Sequence, residues 1–243
     1  MALTDNLISV YPMNNSWQDS WGTNHGTAYG ATFDATVKKL GSHAGSFDGI
    51  DDYVLAKSGT IVSKQANHSL SKWVYVTSLA TRVTMYSEDR SDGSFAAITI
   101  FPDGRVGFYL QSTGVYEANT VAGIAQINTW HLITCTFGSG GMKVFVDGIY
   151  RANHANTNPV TTTINSAYIG KLTGGLWFKG RMDELALWGK TLTDGGVSLN
   201  QTAGGEVAEL WNGGAGVEVG AAVLRSYERV LRGVNRGLGR GTR

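Results

Sequence analysis

Residues 130–137 read Trp-His-Leu-Ile-Thr-Cys-Thr-Phe. Ile133, Cys135 and Phe137 alternate with Leu132, Thr134 and Thr136, a period of two that predicts a strand with one face more apolar than the other. Downstream, Lys143–Val146 repeats the apolar run, and Asp147-Gly148 supplies hairpin-turn chemistry after it. Pro102-Asp103-Gly104 does the same between 95–101 and 106–111. Working outward, strands are predicted over 53–55, 70–77, 82–87, 95–101, 106–111, 115–119, 130–137, 143–146, 166–170 and 176–188. Short strands in this number, with no long helical period between them, predict two packed sheets. A short helical turn is expected from Leu192-Thr193-Asp194 and another over 205–211, stopped by the glycines after Asn212.

The totals agree with that outline. The chain has 243 residues, 33 of them glycine, and a formal charge of +1. That length buries a large core without covalent staples. Cys135 is the only cysteine, so an internal disulfide and a thiolate zinc site are both excluded. It is expected to be a small buried hydrophobe. The first residues, MALTDNLISVYPM, lack the pattern of a secretory signal, and no stretch reaches the roughly 20 apolar residues of a membrane span.

The charge is unevenly placed. Residues 221–243 carry six arginines and one glutamate, while the first 220 carry 14 basic and 18 acidic side chains. At helical spacing Val223, Leu224, Tyr227, Val230, Leu231 and Val234 fall on one side, and Arg225, Arg229, Arg232 and Arg236 on the other. Gly233, Gly237, Gly239 and Gly241 each cost about 1 kcal/mol in a helix, so this segment is expected to order only on docking. The chain divides into a β domain over 1–216 and a Gly/Arg-rich attachment tail over 217–243. A protein partner ranks first for the tail and self-association second. Anionic lipid and nucleic acid rank last.

The motif order resembles the laminin-G-like, concanavalin A-like lectin/glucanase family. The resemblance runs from Leu7-Ile-Ser-Val-Tyr-Pro-Met13 through Ser46-Phe-Asp-Gly49, Asp51-Asp-Tyr-Val54, Trp73-Val74, Trp130-His131 and Lys143-Val-Phe-Val-Asp-Gly148. It closes with Tyr168-Ile-Gly170, Phe178-Lys-Gly-Arg-Met-Asp-Glu-Leu-Ala-Leu-Trp188 and Glu206–Asn212. It implies an all-β jelly-roll sandwich of two antiparallel sheets. Ser69-Leu70-Ser71-Lys72 departs from the family's aromatic and β-branched pattern before its tryptophan. The run Ser46–Val54 packs three aspartates into a short span. By resemblance it is a strand end and a turn, and its spacing is wrong for the common calcium loop. The resemblance also implies one structural Ca²⁺, with Asp19, Asn24, Ser46 and Asp183 in the matching positions; the plainer reading of Asp183 is a partner of Arg181 or of a turn amide.

Function divides three ways. A glycoside hydrolase needs two carboxylates about 5 to 10 Å apart, and the hydrolase branch's Glu-x-Asp-x-Glu run is absent. Asp183 and Glu184, being adjacent, are expected on opposite faces of a strand. A carbohydrate-binding module would use aromatics, for which Trp17, Trp21, Tyr86, Tyr109, Tyr116 and Trp177 are the candidates. A phage virion protein, of decoration or fibre type, reconciles a family that acts outside cells with the missing export signal and disulfides. The sequence reading is therefore a non-catalytic protein displayed on the virion. Its tail would dock on a capsid or tail protein, and its lectin-like domain would adhere to cell-surface glycans. The alternatives are a free-standing carbohydrate-binding module and, after it, a polysaccharide-degrading enzyme.

Overall fold

The computed structural model describes residues 2–90, 95–111 and 114–219. Two antiparallel sheets stack face to face. The larger has eight strands in the order β13 (Ile149–His154), β12 (Gly141–Val146), β11 (Trp130–Gly138), β6 (His68–Val76), β15 (Lys179–Trp188), β4 (Ala44–Asp48) and β3 (Thr32–Asp34), with β1 (Leu7–Tyr11) also on β15. The smaller has seven, in the order β10 (Val115–Asn119), β9 (Val106–Gln111), β8 (Phe95–Ile100), β7 (Val83–Asp89), β14 (Ser166–Ile169), β5 (Tyr53–Lys57) and β2 (Thr27–Tyr29). The jelly-roll sandwich expected from the sequence is the fold observed.

The decisive stretch behaves as its alternation requires. Ile133, Cys135 and Phe137 pair with Val146, Val144 and Met142 and face the space between the sheets. Cys135 is buried there, and burial pushes its thiol well above the ordinary range. The opposite face of the larger sheet is also apolar. Trp73, Leu132, Phe145 and Trp188 form a second core with Val207 and Leu210 of helix α1 (Gly205–Trp211). Trp188 is fully buried, and its indole N–H donates to the Leu3 carbonyl at 2.6 Å.

Helix α1 stops at Asn212, whose φ of 47° is left-handed. The helical turn expected at 192–194 does not form. Thr193 and Glu206 bond reciprocally instead: the Thr193 amide donates to Glu206 Oε2 and the Glu206 amide to Thr193 Oγ1. Asp194 accepts from the Gly196 amide and pairs with Lys143 at 2.6 Å. Those side-chain bonds compete successfully with a helical turn.

Strand β15 changes partner along its length. Residues 179–182 pair with β4, and 185–188 pair with β1. At the changeover its pairing with β6 shifts register between Asp183 and Ala186. Glu184 there has φ 47°, uncommon for a residue with a side chain. This bulge corrects the expectation for Asp183 and Glu184. Both lie on the outer face of the larger sheet, within the influence of Glu218.

Candidate functional site

Three places could carry chemistry. The first is the aspartate-rich turn. Asp48, Asp51 and Asp52 bring carboxylate oxygens within 4.8 Å of one another. Asp48 Oδ1 accepts the Ile50 amide at 2.8 Å and Asp52 Oδ2 accepts the Asp48 amide at 2.9 Å. Gly49, with φ 78°, lies against the Lys179 side chain. The cluster is knit together as a turn.

The second is the seam of β15. Asp183 is fully buried; its Oδ2 accepts the Lys39 and Leu40 amides at 3.0 and 2.9 Å, while its Oδ1 has no partner. Glu184 Oε2 is likewise buried and unpartnered. Burial raises Asp183 to about 7 and Glu184 to about 8, with Asp183 adding to the latter. The ion pair with Arg181 belongs to Asp34, at 2.7 Å, and not to Asp183. The other residues of the expected calcium set are placed differently. Asp19 Oδ1 accepts the amides of Val10, Trp21 and Gly22, and its Oδ2 that of Asn24. The Asn24 side chain donates to Ser9 Oγ at 2.8 Å. Ser46 sits on β4 opposite Arg181. A hard cation needs oxygens with free lone pairs. Asp183 fits that need, and Asp19 is already spent on backbone amides.

The third is the outer face of the smaller sheet. Val54, Ala56, Ala167 and Ile169 point inward to the core, so alternation turns Tyr53 and Tyr168 outward. Tyr29 stacks on Tyr53 with centroids 4.6 Å apart and planes 6° from parallel. Tyr168 and Trp177 lie 5.7 and 5.9 Å from Tyr53. The Lys171 ammonium sits 3.7 Å from the Tyr53 centroid, 4.2 Å from Tyr168 and 5.5 Å from Trp177. A ring stacked at 4.6 Å leaves no room for an ammonium, so Tyr29 covers one face of Tyr53 and Lys171 the other. Tyr29 is 46 % exposed.

The loop carrying Lys171 and Trp177 is fastened to the sheet. Ser87 Oγ donates to the Lys171 carbonyl at 2.8 Å, and Asp89 Oδ2 accepts the Thr173 amide at 2.6 Å. The Phe178 amide then donates to the Gly170 carbonyl, closing the loop. Gly170 has φ 91°, and a Cβ there would meet the Phe47 ring at 2.7 Å. Further along the same face Arg82 stacks over Tyr109 at 4.4 Å and Phe101 at 4.7 Å.

Of the aromatic candidates named from the sequence, only Trp177 joins this patch. Trp17 and Tyr86 are corrected to core residues. Trp17 packs on Phe33 and Phe47, and Tyr86 donates its hydroxyl to buried Glu88. Tyr109 faces outward but is 4 % exposed. Tyr116 packs against the sandwich core. Trp21 is 39 % exposed beside β1, its indole donating to the Leu7 carbonyl. Sequence reasoning missed Tyr29, Tyr53, Tyr168 and Lys171. The alternation Tyr53-Val54-Leu55-Ala56 held part of the signal. The tail residues Val223, Leu224, Arg225, Tyr227, Arg229, Val230, Leu231, Arg232, Val234 and Arg236 lie outside the described residues. No helix among the described residues is long and apolar enough to cross a membrane.

A family model described as the concanavalin A-like lectin/glucanases superfamily matches residues 48–198. Among solved structures, domain 4 of an extracellular arabinanase from Geobacillus stearothermophilus, solved with arabinotriose, is similar at 24 % identity and TM-score 0.64. That match covers 77 % of this chain and 94 % of that one. The receptor-binding domain of botulinum neurotoxin D is similar at 13 % identity and TM-score 0.55, over 79 % of this chain and 51 % of that one. A Trypanosoma rangeli sialidase mutant is similar at 13 % identity and TM-score 0.55, over 78 % of this chain and 32 % of that one. This chain thus spans about half of the neurotoxin domain and a third of the sialidase. At these identities the likeness is one of fold. No curated protein matches the chain.

Proposed function

The chain belongs to the concanavalin A-like lectin/glucanase superfamily, and from that premise we propose that it is a non-catalytic carbohydrate-binding domain whose site is the Tyr29–Tyr53–Tyr168–Trp177 patch. The carrying observation is the grouping of four aromatic rings on the outward face of one sheet, with a lysine held among them. Aromatic faces bind pyranose rings by covering their apolar C–H surfaces, and an exposed ring costs little entropy to present. The two carboxyls raised furthest, Asp183 and Glu184, lie on the other sheet, away from this patch; Asp89 and Asp52, also raised by burial, lie nearer and accept the amides of Thr173 and Asp48. A glycosidase would need its carboxyl pair beside the bound sugar. A glycan array followed by titration tests the reading. The double variant Tyr29→Ala/Trp177→Ala is expected to lower affinity for any bound oligosaccharide about tenfold or more, from the loss of stacking area. An array without a hit, or an unchanged affinity, removes the assignment.

A structural Ca²⁺ at the β15 seam is part of the same proposal, with Asp183 as its carboxylate ligand. What supports it is the unpartnered, buried Asp183 Oδ1 beside a backbone bulge. The ion would supply charge compensation and would clip the 39–40 segment to β15. Millimolar calcium is expected to raise the melting midpoint of chelator-treated protein by about 5 °C, and Asp183→Asn to erase the rise. An unchanged midpoint in the wild type counts against the ion.

The virion reading is carried forward on the arginine-faced pattern of the tail. Under it the tail docks on a capsid or tail protein and displays the domain. Truncation after Gly216 is expected to release the domain from its particle, and a truncated chain that still assembles refutes the docking role.

A further inference from the structure

The lysines of this chain differ in how their ammonium groups are held. Lys39 donates to the Gly214 carbonyl at 2.6 Å, Lys143 pairs with Asp194 at 2.6 Å, and Lys190 pairs with Glu206 at 2.5 Å. Lys171 is half-buried, yet among the described residues its ammonium has neither hydrogen bond nor ion pair. Only ring faces hold it. Asp89 is the acidic group that acts on it through space, and Asp89 is turned to the Thr173 amide and buried under the loop.

Ring faces stabilise a cation electrostatically but accept hydrogen bonds poorly. They also strip water from the side they cover. An ammonium in this state has donors to spare, and it gains more from an anionic oxygen than a fully hydrated surface lysine does. Its neighbours are the aromatic surfaces that suit a sugar ring.

Resting on the carbohydrate-binding reading, we infer that the aromatic patch around Lys171 selects an acidic saccharide, with the Lys171 ammonium pairing a carboxylate or sulfate of a sugar seated against Tyr168, Trp177 and Tyr29. The fastened loop gives the inference its geometry. The Ser87 and Asp89 bonds to residues 171 and 173 fix the backbone after the lysine, and the Gly170 bonds to Met85 and Phe178 fix it before, so the cation is presented from a held backbone. The Tyr53 ring, sandwiched between Tyr29 and Lys171, is the wall that aims it.

Isothermal titration with three tetrasaccharides tests this: tetragalacturonate, its full methyl ester, and a sulfated κ-carrageenan tetramer. The wild type is expected to bind at least one acidic tetramer about tenfold more tightly than the neutral ester, with the preference shrinking between low and high salt. The carboxylated and sulfated arms identify which anion is taken. Lys171→Gln is expected to remove the preference, and Lys171→Arg to keep it. Equal binding of acidic and neutral forms by the wild type overturns the inference and leaves the carbohydrate reading standing. Failure to bind any of the three overturns the inference, while the glycan array decides the carbohydrate reading. Should Lys171→Gln lose its fold by circular dichroism, the Lys171→Arg titration and the salt dependence of the wild type still decide.

Discussion

Glu88→Ala is expected to cost about 4 kcal/mol or more and to leave the domain largely unfolded at moderate temperature. Glu88 is fully buried on β7. Its Oε1 accepts the amides of Ile61 and Val62 at 3.0 and 2.7 Å and the Tyr86 hydroxyl at 2.8 Å. Its Oε2 accepts the Ser63 amide at 3.1 Å and the hydroxyls of Ser63 and Thr60. All six partners are donors, which suits a carboxylate that only accepts. Alanine strands every one of them inside the sandwich. The 60–63 segment has no strand of its own, and this side chain supplies most of its polar ties, beside the bond from the Val160 amide to the Ser63 carbonyl. Glu88→Gln keeps the shape but turns an NH₂ toward the donors, and it should fall between the two. Urea denaturation measures the series. A loss under 1 kcal/mol for alanine would mean that the segment is held by its apolar residues, Ile61 and Val62, alone.

Lys72→Met should act in the opposite direction, raising stability by roughly 2 kcal/mol at neutral pH. Lys72 points into the sandwich interior at 2 % exposure, with its Nζ donating to the Met85 carbonyl at 2.7 Å and to Met182 Sδ at 3.0 Å. Burial pushes its ammonium well below the ordinary value of 10.5. The unfolded chain therefore binds a proton that the folded chain releases, and stability falls as pH drops below 10.5. Methionine has similar volume and removes that penalty. The Met85 carbonyl keeps its bond from the Gly170 amide. The gain should shrink as pH approaches 10, where lysine in the unfolded chain also begins to lose its proton. Thermal melts of both proteins between pH 6 and 10 check the sign. A destabilised variant at pH 7 would show that the two Nζ contacts outweigh the desolvation.

Some of this was legible in the sequence. The alternation in 130–137 placed Cys135 inside, and the Asp-Gly turns placed the hairpins. Lys72 falls in the one run that departs from its family's pattern, so a sequence oddity marked a buried ionisable group. The aromatic patch was harder. Trp17 and Tyr29 are both aromatics in irregular or edge segments, and only packing decides that Trp17 meets Phe33 and Phe47 while Tyr29 meets water. Lys171 carries no motif at all. Its role depends on rings contributed by β5, β14 and a loop, which come together only in three dimensions. The β15 bulge was invisible for a related reason, because a register shift is a relation between two strands.

The pairing of β1 with β15 joins Leu7 to Trp188. During synthesis the first strand must therefore wait for residues more than 170 positions later, about 10 to 35 s at ordinary elongation rates. Until then its apolar residues Leu7, Val10 and Tyr11 have no sheet to join. The growing chain carries that unmatched strand until β15 has been made. Such contacts between distant parts of a chain also slow refolding, so a truncation that removes β15 would leave β1 as well as the centre of the larger sheet without its partner.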